Sequence, residues 1–227
     1  MTKRGFPLFF IIMIFLVSFL YGQEIITADG YMRMVSETYA GIRDYEANIV
    51  IRSGNTDMIG NVSHLSPSFL RIDFTRPAQQ VIVFNGERLI IYLPEYRAIL
   101  SQDINQSRIS GVGMASAQGL SLLRNNYVPA FLTGPNPVPL DNNSTEMVVK
   151  LRLTRRFVSE GFREIILSIN PTTRLIRRIE GRTIADADVR FDFTNIRTNV
   201  SIPEARFVYD APASANNYYN FLFRDSD

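Results

Sequence analysis

The sequence predicts a mostly β (α+β) domain: an antiparallel sheet rolled into a barrel or sandwich and accompanied by two helices. Three observations predict it. From Tyr45 onward apolar and polar residues alternate with a period of two. Turn residues recur about every ten positions, the spacing of a barrel or sandwich. Helical periodicity enters once before the strands and once in their middle.

The N-terminus is read separately from the fold. Lys3 and Arg4 precede an uncharged, almost wholly apolar run from Phe6 to Leu20, and Gly22 offers a small residue before polar Gln23 and Glu24. That is the layout of a secretory signal peptide cleaved near Gly22. The run is short against the roughly 20 apolar residues of a membrane-spanning helix, and an uncleaved anchor is the alternative. Removing 22 of the 227 residues leaves one domain, 23–227, with enough chain to bury a core. Removal also takes two of the 24 basic residues, so 22 basic face 22 acidic. The balance gives no support for nucleic-acid binding. Cysteine is absent, which excludes disulfides, a thiol nucleophile and cysteine-held metal.

The first element of the domain is a helix. Thr27 and Asp29 are candidate caps, and Met32, Val35, Tyr39 and Ile42 form one apolar stripe. Strands are then expected over 45–53 and 57–63, separated by Gly54-Asn55, and from Pro67 to Arg76, where Leu70, Ile72 and Phe74 alternate with polar neighbours. Gln80 to Phe84 and Glu87 to Leu93 flank Asn85-Gly86, a strong hairpin signal. Tyr96 to Ser101 follows.

Gly111 to Tyr127 reads as a second helix, with Met114, Ala117, Leu120 and Leu123 on one side and Gly113 and Gly119 weakening it. Residues 134–145 are a loop by composition. The alternation resumes with Val149, Leu151 and Leu153, continues through 162–169 and 174–182, and returns in Val189, Phe191 and Phe193. A short last strand is expected at Phe207–Tyr209, about eleven in all, and the aromatic residues Tyr218, Tyr219, Phe221 and Phe223 suggest a docked tail. A nearly closed sheet of this size can enclose an apolar ligand.

Chemistry of the catalytic kind is sparse. His64 is the single histidine, and no Gly-x-Ser-x-Gly elbow places a serine. Asp186 and Asp188 are too few for a metal cage. Gly111-Val-Gly113 lacks the ending of a phosphate loop. No enzyme, cofactor or metal is expected. Sequons at Asn61, Asn105, Asn142, Asn143 and Asn199 are incidental in a bacterial envelope protein. Residues 147–190 carry ten basic against five acidic side chains. Arg152, Arg155, Arg156, Arg163, Arg177 and Arg178 form either a solvated face or a contact for anionic head groups or an acidic partner.

The order of motifs resembles the outer-membrane lipoprotein carrier (LolA) family. The segments are Ser66-Pro67-Ser-Phe69-Leu70-Arg71-Ile72-Asp73-Phe74-Thr75-Arg76-Pro77, then Gln80 to Gly86, then Leu89-Ile90-Ile91-Tyr92-Leu93-Pro94. Leu175 to Arg178, Phe191 to Asn199 and Ile202-Pro203 ending at Phe207 look like the family's last strands. The resemblance implies an incomplete eleven-stranded barrel lidded by helices around a hydrophobic cavity that shelters acyl chains. It also implies an inner-membrane donor complex and an outer-membrane acceptor. The expected cargo is an acylated lipoprotein or phospholipid, the location the periplasm, and the protein a monomer.

The family's best-known members place an arginine before the proline to hold the lid. Here that residue is Ser66, which cannot replace a multidentate cation. Arg71 or Arg76 are the candidate substitutes. The expected cavity lining is Leu70, Ile72, Phe74, Val81, Val83, Leu89, Ile91, Val149, Leu151, Leu153, Phe191 and Phe193, with Met114, Leu120 and Leu123 as lid. A cavity wall and a filled core share one binary pattern, so both remain open for each residue. A sensor or scaffold domain of the same fold is the alternative to a carrier.

Overall fold

Thr27 caps the first helix, α1 (Ala28–Ala40), by accepting from the Gly30 amide at 3.1 Å. The structure, a computed structural model, describes residues 26–103 and 111–221. The signal segment 1–22, the Asn105 sequon and Phe223 lie outside the described residues. α1 buries Tyr31, Met32, Val35 and Tyr39; of the stripe read from the sequence, Ile42 falls beyond the helix end and is half-buried, and Tyr31 joins it. The Tyr39 hydroxyl accepts from the Ile176 amide at 3.0 Å and so ties the helix to the sheet.

Six strands follow in antiparallel succession: β1 (Asp44–Ser53), β2 (Thr56–Leu65), β3 (Phe69–Arg76), β4 (Val81–Phe84), β5 (Arg88–Leu93) and β6 (Ala98–Asp103). The Asn85-Gly86 turn forms as expected. Gly86 takes φ +94°, and the Asn85 side chain accepts from the Glu87 and Arg88 amides. A 3₁₀ turn at Gly111–Met114 then leads into helix α2 (Ala117–Asn126), shorter than the 111–127 helix expected. The Ser116 hydroxyl caps it by accepting from the Gly119 amide, and itself donates to the Gly113 carbonyl.

The rest of the sheet is β7 (Tyr127–Phe131), β8 (Val138–Pro139), β9 (Met147–Arg155), β10 (Phe162–Ile169), β11 (Ile176–Thr183), β12 (Asp188–Thr198) and β13 (Asn216–Tyr219). All belong to a 13-stranded sheet in the order β13-β6-β5-β4-β3-β2-β1-β12-β11-β10-β9-β7, with β8 beside β9. The sheet is open, with β13 and β7 at the ends of the path rather than paired into a barrel. β1 bridges the two halves, because it pairs with both β2 and β12.

Among the described residues the strands number thirteen instead of about eleven, and β7 is one that the sequence reading lacks. The loop at 134–145 contains the two-residue β8. Phe207 ends a 3₁₀ turn, Glu204–Phe207, instead of opening a strand. The tail expected to dock does so through β13, which pairs parallel to β6 with Tyr218 opposite Leu100. No helix among the described residues is long and apolar enough to cross a membrane.

Candidate functional site

Register builds the inner face of the sheet. Leu151 pairs with Leu167, Leu167 with Ile179, Ile179 with Phe191 and Phe191 with Ile51. These five side chains make one apolar row across five strands, and all are buried. Directly opposed residues point to the same face, so the row lies on one side. Ile49 with Phe193 and Leu153 with Ile165 extend it. Beyond β2, Leu70 opposes Phe84 and Ile72 opposes Ile82. Leu89 and Ile91 continue this face by register and are half-buried.

The two helices cover the face. Met114, Leu120 and Leu123 are buried in the same apolar cluster as Leu70, Ile72, Phe74, Val149, Leu151, Leu153, Phe191 and Phe193. Thus ten of the twelve residues expected along one wall, counting Leu89 and Ile91, share a face with the helices.

Val81 and Val83 do not. They face the opposite side of the sheet, in a second cluster with Leu65, Ile202 and Phe207, packed by Phe69, Tyr92 and Tyr209. The run Val81-Ile82-Val83-Phe84 is apolar throughout, so its pattern cannot say which pair points inward. Pairing with β3 decides for Ile82 and Phe84. The outer cluster exists because the segment after β12 returns across β3–β5. Phe207 packs on Phe69 with ring centroids 5.5 Å apart. Arg71 also points to this outer side, binding Asp73 and the carbonyls of Arg206 and Val208. It therefore cannot serve as the missing lid arginine.

A small gap remains where α2 meets the sheet. It has a volume of about 20 Å³ and is lined by His64, Ser68, Leu70, Phe84, Ser116, Gln118, Gly119 and Leu122. Such a space holds about one water molecule, and no acyl chain. Around it pack the buried side chains of the cluster just described. His64 is 5% exposed and stacks on Tyr45, and neither ring nitrogen has a protein hydrogen-bond partner. Burial lowers its pKa to about 4, against a smaller opposing pull from Asp44. His64 is thus a neutral imidazole beneath α2. In the sequence it stands two residues from Ser66 with no sign of its depth.

No protein-family model matches the chain. It is 22% identical over 190 residues to an outer-membrane lipoprotein carrier protein of Bordetella avium (strain 197N), across 83% of this chain and 85% of that protein. The chain is similar to a lipoprotein carrier. Among solved structures it matches an uncharacterized conserved protein from Thermus thermophilus, with a TM-score of 0.54 and 13% identity over 82% of this chain and 98% of that one. It also matches MucB, with a TM-score of 0.51 and 15% identity over 81% of this chain and 63% of MucB. At these identities the structural likeness is one of fold. The lipoprotein-carrier resemblance read from the motifs and the sequence match therefore agree.

Proposed function

We propose that the protein is a periplasmic carrier of acylated lipoproteins or other acylated lipids, taking the acyl chains between the sheet and helix α2. The observation that carries this is the continuous apolar inner face covered by a short helix with its own cap and an internal Gly119. An acyl chain in water costs about 0.8 kcal/mol per exposed CH₂, so a face of this kind suits its transfer across an aqueous space. Because the gap beneath α2 measures only about 20 Å³, loading there requires α2 to move. Met114, Leu120 and Leu123 would then leave the positions that an acyl chain takes. Similarity along most of the chain to a protein named a lipoprotein carrier supports the reading. Donor and acceptor complexes on the two membranes belong to the same proposal, as does a monomeric state. No step in it requires catalysis, a cofactor or a metal.

The small size of the gap beneath α2 favours a second reading: a sensor or scaffold domain of this fold that binds envelope lipids or proteins without transporting them. Native mass spectrometry with lipid extraction, on protein purified from the envelope, separates the two. Co-purifying acylated lipoprotein supports the carrier and identifies the cargo, whereas phospholipid alone is what the second reading also expects. Protein that is free of lipid and takes up no fluorescent fatty acid overturns it in favour of the second reading.

A further inference from the structure

Three exposed apolar side chains lie on two neighbouring turns at one end of the sheet. The β9–β10 turn presents Phe157 and Val158, which are 57% and 82% exposed, and the β11–β12 turn presents Ile184, 54% exposed. The turns are neighbours because Phe162 pairs with Thr183. The Ile184 amide donates to the Gly161 carbonyl at 3.2 Å, and Arg163 donates to the Ile184 carbonyl at 2.7 Å. Large exposed apolar groups brought together on adjacent turns and rimmed by charged residues are the kind of patch that marks an interaction site.

The structure also sorts the arginines of this half. Arg152 pairs with Glu164, Arg163 with Asp186, Arg177 with Glu146, and Arg178 with Asp141 and Asp192. Arg155 and Arg156 flank the tip. Among the described residues neither has a carboxylate within ion-pair distance. They donate to the carbonyls of Val158 and Tyr127 instead. One acidic residue, Glu160, shares the turn. The carboxylates of Glu164, Asp186 and Asp188 nearby are held by Arg152, Arg163 and Arg182.

We propose that the paired turns carrying Phe157, Val158 and Ile184, with Arg155 and Arg156, form a docking tip for an anionic lipid bilayer surface. A few apolar side chains on adjacent turn tips suit the boundary between head groups and acyl chains. Arginine stems can lie along that boundary while their guanidinium groups reach anionic head groups. A packed protein contact would instead be expected to present a continuous apolar centre. The inference is independent of what the inner face carries, since the tip lies on the turns and not on the lid.

The absence of cysteine allows a direct test. Val158→Cys, and Thr172→Cys in the turn at the opposite end, each carry an environment-sensitive fluorophore on protein purified after export. Vesicles with and without phosphatidylglycerol are added. The expected result is a blue shift at 158 with anionic vesicles and none at 172. Arg155→Gln is expected to weaken the response about fivefold, as is Arg156→Gln. Phe157→Ser with Ile184→Ser is expected to reduce it at least about tenfold. Equal responses at 158 and 172, or no response at 158, overturn the proposal. So does a response indifferent to these substitutions, or crosslinking of the tip to an acidic protein without vesicle binding.

Discussion

His64 stacks on Tyr45 with ring centroids 5.1 Å apart and planes within 16°. The pairing follows from register, because Tyr45 and His64 oppose each other across β1 and β2. It holds an imidazole without a protein hydrogen-bond partner near the N-terminus of α2.

This pair predicts an acid limb to stability. Burial holds the His64 pKa at about 4, below the 6.5 of a free imidazole. The unfolded chain therefore binds the proton first, and folding is fully favoured above the unfolded pKa. As pH falls from about 6.5 toward 4, stability declines by about 2–3 kcal/mol. Urea unfolding between pH 7.5 and 4.5 should show this loss in the wild type and a flatter profile in His64→Phe. Parallel profiles would remove His64 as the cause.

Gly119 lets α2 close on the preceding turn. A methyl there would lie 2.6 Å from the Met114 Cα and closer still to the Gly113 carbonyl oxygen. Gly119→Ala should displace the lid, at a cost of about 1–3 kcal/mol. Hydrogen exchange should quicken in α2 and stay slow in β9–β12. Unchanged exchange in α2 would mean that the helix accommodates the methyl.

The two faces of β4 should separate by function. Phe84 lines the gap under the lid, whereas Phe207 covers the outer face. Each truncation to alanine should cost about 3–5 kcal/mol. Only Phe84→Ala should raise uptake of a fluorescent fatty acid, because only it adds room beneath α2. Equal uptake by the two variants would contradict this division.

Arg178 and Asp192 form the buried ion pair of the outer surface. Arg178 Nε donates to Asp192 Oδ1 at 2.5 Å, and its Nη1 to Asp141 at 2.7 Å. Hydrogen bonding to Asp141 and then to Asp192 holds the guanidinium further toward its charged form. Asp192→Ala leaves Arg178 half-partnered in a buried position and should cost about 3 kcal/mol. Asp188→Ala, which breaks an exposed pair with Arg182, should cost less than about 1 kcal/mol. Chemical unfolding of both variants checks the contrast.

Periodicity alone determined much of this protein. The stripe of α1, the Asn85-Gly86 hairpin and the alternating strands of β3, β9 and β12 follow from spacing, because each has one polar and one apolar side. The order of those motifs also carried the resemblance to lipoprotein carriers. Tertiary structure decided what spacing leaves degenerate. Val81 to Phe84 is apolar at every position, so only its pairing with β3 turned Ile82 and Phe84 inward and Val81 and Val83 outward. Phe207 and Tyr209 look like strand residues, but they serve as a cover for that outward face. His64 and Arg71 are polar residues in a strand pattern. One is buried under the lid and the other is turned away from it, because their burial depends on segments distant in sequence. The same holds for the gap under α2: a binary pattern records that a surface is apolar, and only packing determines whether side chains already fill the space beside it.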